Sequence, residues 1–449
     1  MTNALHLLEM SSQPTSRVSW SPSCQTVSCV ANWLVFREYL AYIAAGAFGK
    51  SAAFDAAING PSQQDFRPPS ELLKTDKTTD ATYEIWHGNS ASPAMQQLLR
   101  RLQILVPFFV EGGTPIDDSD WDSGRWTIFL LYKKADVSDP SISPVSPYTF
   151  MGYCTVYDFY PLVPTLPLPA PGTKRKAIHR TADVDFTLPY PDKSLSDLPV
   201  RSRISQFIIL PPFQGSGHGA RFYSSIFQYY VANPQTVEIT VEDPNEAFDD
   251  LRDLNDLIYL RSLPEFQALH IDTDAQVRKK GRVPSNDIID QAKLEVVRKK
   301  SKIAPRQFQR LVEMQLLSHI PSHIRKSLLT EHIPKKTATP ETKRREHEYR
   351  LWCLLVKQRL YKHNKDTLIQ LDYNDRIEKL EETAGGVELG YGRLLRKLDE
   401  AGAADKDKGK GLEAPSGNGE KVLTPGKRAA EDEEELPERS TKKAKVTEE

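Results

Sequence analysis

The sequence predicts an α/β fold: a mixed-sheet core followed by a helical region and a charged tail. Three observations predict it. Residues 203–241 read as strand, glycine-rich loop, helix and strand; apolar spacing turns helical from about Asn245 to Leu398; and after Tyr391 no aromatic residue occurs at all. At 449 residues the chain is too long for one small core. Four parts are expected: an N-terminal region over 1–82, atypical and partly disordered; a core over 83–265 interrupted by a loop at 161–200; a helical domain over 266–399; and a disordered tail over 400–449.

Composition excludes several classes of function. Lys+Arg 59 against Asp+Glu 60 gives a net charge of -1, so direct DNA binding is not expected. The longest apolar stretch, Trp33–Phe48, is broken by Arg37 and Glu38, which argues against a membrane span. Cys24, Cys29, Cys154 and Cys353 are too scattered for a disulfide framework or a zinc site. His319 and His323 have helical spacing for a metal, but Pro321 lies between them, so no metal is expected. Nothing near the N-terminus has the basic-then-apolar layout of a secretory leader, and a reducing compartment is expected.

The elements follow in order. Trp33–Ala45 is amphipathic and could be helical, whereas 48–86 is mixed, with Pro68-Pro69 marking a loop. Met95–Phe109 carries apolar residues at helical spacing, Trp126–Tyr132 is a compact run typical of a buried strand, and Phe150–Phe159 reads as another. Residues 161–200 are proline-rich and carry Lys174-Arg175-Lys176, as a surface loop would. Arg203–Leu210 is a strand by its β-branched content, Pro211–Gly219 a turn, Ala220–Val231 a helix, and Val237–Val241 a strand ended by Glu242-Asp243-Pro244. Helices are expected over Glu246–Leu260, Asn286–Lys300, Pro305–Leu317 and the charged run Glu341–Glu382.

The run Gln214-Gly-Ser-Gly-His-Gly219 carries the chemistry. Gly215, Gly217 and Gly219 let backbone N–H groups turn inward, and the helix that follows adds the positive end of its dipole, so a phosphate or pyrophosphate should bind there. No Lys-Ser/Thr follows the last glycine, so this is not a Walker loop, and the Gly-x-Gly-x-x-Gly dinucleotide spacing is absent. A tight strand-to-helix turn would explain the glycines equally well.

This run, preceded by its apolar strand, resembles the acetyl-CoA pyrophosphate loop of the GNAT acetyltransferases. Within that superfamily Phe109-Val-Glu-Gly-Gly113, Gly152–Tyr160, Ser205-Gln206 through Gly219 and the stretch Val241–Arg252 resemble, in order along the chain, the type B histone acetyltransferase catalytic subunit. The resemblance covers roughly 83–320 and implies a GNAT core of mixed, mostly antiparallel sheet with flanking helices. The first 45 residues do not show that family's usual N-terminal pattern.

The resemblance implies the site residues. Phe207, Ile208 and Ile209 would pair their backbone with the pantetheine arm of acetyl-CoA; Gln214, Gly215, Ser216, Gly217, His218, Gly219 and Ala220 would cradle the pyrophosphate; Asn245 matches a cofactor-contacting position. Glu242 matches the principal general base, with Glu111 and Asp243 as the other matching acids. Tyr157, Asp158 and Phe159 match a segment that contacts the histone tail. The implied reaction is acetylation of lysines in the tail of newly synthesised histone H4, in a Gly-x-Gly-Lys-x-Gly setting, with H3 and a WD-repeat histone chaperone as further partners. From charge alone, Asp117, Asp118, Asp120 and Asp122 could form an acidic rim for a basic peptide, or simply a hydrophilic loop. Lys427-Arg428 and Lys442-Lys443-Ala-Lys445 resemble a bipartite import signal, so both cytoplasm and nucleus are expected. A GNAT enzyme for another amine, and a catalytically weak histone-binding scaffold, remain alternatives.

Overall fold

The computed structural model describes residues 66–78, 81–117, 122–135, 147–160, 197–275, 285–329 and 339–410. The helix expected at Trp33–Ala45, residues 161–196 of the expected loop 161–200, Asp118 and Asp120, and the tail beyond 410 lie outside them, and the last residue of that loop, Val200, already belongs to a strand.

A six-stranded sheet runs in sequence order, β1 (Glu71–Lys77), β2 (Thr82–Asn89), β3 (Trp126–Lys134), β4 (Tyr148–Phe159), β5 (Val200–Ile209) and β6 (Thr236–Val241). The first five strands pair antiparallel and β6 pairs parallel with β5. A parallel pair needs a crossover, which a helix between β5 and β6 supplies. The mixed, mostly antiparallel sheet with flanking helices is therefore the expected fold class. β1 lies within the stretch read as mixed and atypical. It is a largely exposed edge strand of sequence ELLKTDK, whose charges suit an edge but hide its strand character.

β3 reads as a continuous apolar run because both of its faces are covered. On one face Ile128, Leu130 and Tyr132 pack with Trp86, Tyr153, Ile208 and the Met95, Leu99 and Leu102 stripe of helix α1 (Pro93–Leu102). On the other, Phe129 and Leu131 meet Phe222, Ile226 and Tyr230 of α3 (His218–Ala232). The helix expected over Met95–Phe109 is split: a 3-10 turn at Gln103–Leu105 separates α1 from the short α2 (Val106–Phe109). Pro107 has no N–H to continue the ladder through this point.

The second apolar cluster continues without a break into the C-terminal helices. These are α4 (Glu246–Arg261), α5 (Pro264–Gln267), α6 (Ser285–Ile288), α7 (Gln291–Ser301), α8 (Pro305–Ser318), α9 (Ser322–Leu329), α10 (Pro340–His363), α11 (Lys365–Leu368) and α12 (Tyr373–Lys410). The run expected over Glu341–Glu382 is broken at Asn364 and again between Leu368 and Tyr373. The carbonyls of Leu368 and Leu371 at this break accept from the Arg376 guanidinium, both at 2.9 Å. α12 also continues past residue 400, where the tail was expected to begin. The chain divides into two compact units, Met1–Leu398 and Asp399–Glu449.

Candidate active site

β5 and β6 run together only from Val200↔Thr236 to Ile204↔Val241. Glu242 N donates to Ile204 O at 2.8 Å, closing the pairing. Beyond it β5 continues to Ile209, while the other chain turns away through Asp243 and Pro244 into α4. Asp243 sits at φ 33, a left-handed conformation that costs a non-glycine residue of order 1 kcal/mol or more. The edge of β5 over Ser205–Ile209 is thus left without a strand partner on that side among the described residues.

A β-bulge sits at the point of parting. Val156 pairs with Ile204, but Thr155 pairs with Gln206, which leaves Ser205 as the extra residue. The bulge aims the Ser205 hydroxyl out of the ladder, and its Oγ donates to Glu242 Oε2 at 2.7 Å. Arg203 Nη1 lies 3.9 Å from the other carboxylate oxygen. Glu242 is 46% exposed, so its carboxylate is oriented by Ser205 yet reachable where the two strands part. Asp243 and Asn245 are also exposed. Asn245 caps α4, its Oδ1 accepting from Phe248 N at 2.9 Å.

The glycine run follows the far end of this free β5 edge. After a 3-10 turn at Pro211–Phe213, Gln214 Nε2 donates to Ile209 O at 2.7 Å and ties the loop to the strand end. Gly215 (φ 80) and Gly217 (φ 76) take left-handed conformations that glycine alone adopts without strain. Gly217 is the N-cap of α3 and brings no side-chain cap, so the N–H groups of the first turn are left for a ligand. A Cβ on Gly219 would come within 3.1 Å of Leu251 Cδ1, so this glycine serves the close approach of α3 to α4. The surroundings are cationic: Arg221 Nη2 lies 2.9 Å from His218 Nδ1. Burial, then Arg221 and Lys133, hold the His218 imidazole below its ordinary range. Such a loop fits a pyrophosphate.

Phe207 and Ile209 turn their side chains into the core and contribute backbone to the site. Phe207 packs against Phe222 and Phe248, with ring centres at 5.3 and 5.0 Å, and Ile209 joins the same cluster. Ile208 points to the opposite face, beside α1.

On the α1 face, a buried amide network fastens the loop that carries Glu111. Gln103 and Gln206 bond to each other, Tyr153 OH donates to Gln206 Oε1, Gln206 Nε2 reaches Thr114 O, and Ile116 N donates to Gln103 Oε1. Glu111 is exposed on this loop and shares no hydrogen bond with Glu242 or Asp243 among the described residues. The network is the part of the site that motif reasoning missed, together with Arg203 and Ser205 as partners of Glu242. A glutamine within the apolar run of Met95–Phe109 was its one visible signal.

The Tyr157–Phe159 segment divides between faces, as strand alternation requires. Tyr157 packs on Trp126 and Phe159 at 4.9 and 4.6 Å and donates to Asp122 Oδ2 at 2.6 Å. Asp158 faces α3 instead, accepting from Ser202 Oγ at 2.8 Å, and burial raises its carboxyl above the ordinary range. Tyr157 and Phe159 thus share a face that Asp158 does not. Asp122 is spent on Tyr157, and Asp117 is exposed.

A sheet splayed at its parallel pair, an uncapped helix start behind glycines and a carboxylate at the fork fit the layout of an acetyltransferase core. The comparisons narrow this. The family model for the histone acetyl transferase HAT1 N-terminus matches residues 5–111, and that for the fungal HAT1 C-terminal region matches 271–320. The first match begins at residue 5, which corrects the expectation that the initial 45 residues lack the family's N-terminal pattern. The histone acetyltransferase type B catalytic subunit of Gibberella zeae is 46% identical over 362 residues, covering 79% of this chain and 71% of that protein. Its counterpart from Neurospora crassa is 42% identical over 438 residues, covering 92% and 81%. Among solved structures, an aminoglycoside acetyltransferase from an uncultured soil metagenomic sample covers 44% of this chain and 93% of its own, at 12% identity and a TM-score of 0.22, too loose a likeness to bear on the argument. The chain belongs to the family of type B histone acetyltransferase catalytic subunits, and is an acetyltransferase.

Proposed function

We propose that this enzyme transfers acetyl from acetyl-CoA to lysine ε-amines in the N-terminal tail of newly synthesised histone H4. The observation that carries the reading is Glu242, held by Ser205 at 2.7 Å where β6 leaves β5, at one end of the free β5 edge whose other end runs into the glycine loop. Acetyl-CoA supplies the acetyl thioester and a thiolate leaving group. The backbone edge of Phe207–Ile209 would hold the pantetheine arm, and Gln214–Ala220 with the start of α3 the pyrophosphate. A free lysine, with a pKa of about 10.4, is almost wholly protonated at pH 7. Glu242 therefore takes the ammonium proton, directly or through water; the neutral amine attacks the carbonyl carbon, and as the C–S bond breaks the nitrogen's second proton passes to the departing thiolate. Glu111 and Asp243 add negative potential for a basic peptide, while Tyr157 and Phe159 offer flat aromatic surface to its lysine stem. A Gly-x-Gly-Lys-x-Gly context suits a backbone that must enter closely.

The remaining assignments follow from family membership. H3 would accompany H4, and a WD-repeat chaperone would bind at the 161–200 insertion. The basic pairs at Lys427-Arg428 and Lys442–Lys445 would carry the enzyme between cytoplasm and nucleus; replacing both by alanine in a fluorescent fusion should abolish nuclear accumulation, and unchanged distribution would refute it.

Mass spectrometry of an H4 tail peptide incubated with acetyl-CoA tests the main reading, with Glu242→Gln beside the wild type. The expected result is acetylation of one or two glycine-flanked lysines, reduced about a hundredfold or more in the variant. Binding of acetyl-CoA and peptide without transfer would instead favour a histone-binding scaffold, and preference for a different amine would replace the substrate.

A further inference from the structure

Arg203 stands between two groups that the proposed reaction needs. It is the cross-strand partner of Tyr157, so it leaves the sheet on the face shared by Tyr157 and Phe159. Its guanidinium carbon lies 4.2 Å from the centre of the Phe159 ring. Its Nη1 lies 3.9 Å from Glu242 Oε1. An aromatic face on one side and a carboxylate on the other is an environment that stabilises a cation. A lysine ammonium coming up to the base meets this same pair of groups, and finds a resident cation already there. The resident is held loosely. With side chains 35% and 46% exposed and the contact at the outer limit of an ion pair, the Arg203–Glu242 attraction is weak.

We propose that Arg203 is a positioning residue that stands in for the substrate's own cation, holding Glu242 beside Phe159 until the incoming lysine displaces it from the ring. The proposal rests on Glu242 as base and Phe159 as a peptide contact. Two consequences follow. Displacement costs peptide binding energy. The guanidinium, still close to Glu242, then keeps the carboxylate aimed at the amine that has taken its place on the ring, so that its loss lowers kcat.

Steady-state kinetics on an H4 tail peptide test this with Arg203→Met, which keeps the apolar stem and removes the charge. The expected result is a kcat about tenfold lower together with a peptide KM about threefold lower, and an unchanged KM for acetyl-CoA. A distorted site would raise the peptide KM while lowering kcat. Arg203→Lys restores the charge without the planar stack, and should keep kcat within about threefold of wild type while the peptide KM stays low. Unchanged constants, or a raised peptide KM, in Arg203→Met overturn the proposal. If that variant does not bind acetyl-CoA, Arg203→Lys decides: a lowered peptide KM supports the proposal and an unchanged one overturns it. Glu242→Gln keeps the two ideas apart. Full activity there removes the base itself, whereas an inactive Glu242→Gln beside an unaltered Arg203→Met removes only the role of Arg203.

Discussion

At the scale of single residues, Ser205 shows how a small polar group can serve a site without touching the reaction. The bulge frees it from the ladder and leaves its hydroxyl with one partner, Glu242 at 2.7 Å. A hydroxyl donor to a carboxylate is worth roughly 1.5–3 kcal/mol where water is excluded, and less at a half-exposed site. Ser205→Ala should therefore lower kcat by about three- to tenfold through a less well-aimed base, with the KM for acetyl-CoA unchanged. A larger KM effect than kcat effect would show that Ser205 serves cofactor binding instead. The bulge was not legible in the sequence: Ser205-Gln206 reads as part of an ordinary strand, because register is a property of two strands.

Among elements, the junction of β5, the glycine loop and α3 was the most legible, because its requirements are local. Gly217 must take φ 76 and must leave the helix start uncapped, and glycine meets both needs at once. Gly217→Val imposes strain of roughly 1–2 kcal/mol and crowds the N–H groups. The expected outcome is a KM for acetyl-CoA raised about tenfold with the peptide KM little changed, measured with acetyl-CoA varied at saturating peptide. An unchanged KM would mean the glycine serves only the turn. α4 is fixed by longer-range contacts. Its acidic residues Asp250 and Asp253 are held by Arg393 of α12, bidentate at 2.6 and 2.7 Å, and by Arg310 of α8. Those arginines lie far from α4 in sequence, so only the fold reveals that the C-terminal helices steady the element that begins just after Glu242.

On the scale of the whole molecule, a buried polar layer joins the sheet-side helices to the C-terminal ones. Glu313 receives Arg359 at 2.7 and 2.8 Å and Tyr391 OH at 3.0 Å, and burial still raises its carboxyl above the ordinary range. Asp256 receives Tyr223 OH at 2.8 Å and Gln307 Nε2 at 3.2 Å, with Arg252 at 3.5 Å and Asp253 nearby. Burial lifts its carboxyl to about 6, above its value of about 3.9 in an unfolded chain. The folded state thus binds the proton more tightly, and this contribution to stability is fully present below about pH 4 and is lost as pH rises through 6. Urea unfolding of wild type and Asp256→Asn at pH 5, 6 and 7 should show the wild type losing ground to the variant with each step. A constant difference would show that Asp256 is already ionised when buried.

What the sequence by itself determined is what depends on neighbours along the chain. It determined the strand–loop–helix–strand order, a glycine loop at the entrance of the helix, the motif order that identifies the family, and Glu242 at the end of a strand. The split of the Met95–Phe109 helix, the breaks after His363 and the edge strand β1 were harder to read, since charged or evenly spaced residues mask short interruptions. Only the tertiary structure decided where β5 and β6 part, that Asp158 turns away from Tyr157 and Phe159, and that Arg203 lies between Phe159 and Glu242. Pairing register and side-chain face are set by contacts between distant segments, where a shift of one residue exchanges one face of a strand for the other.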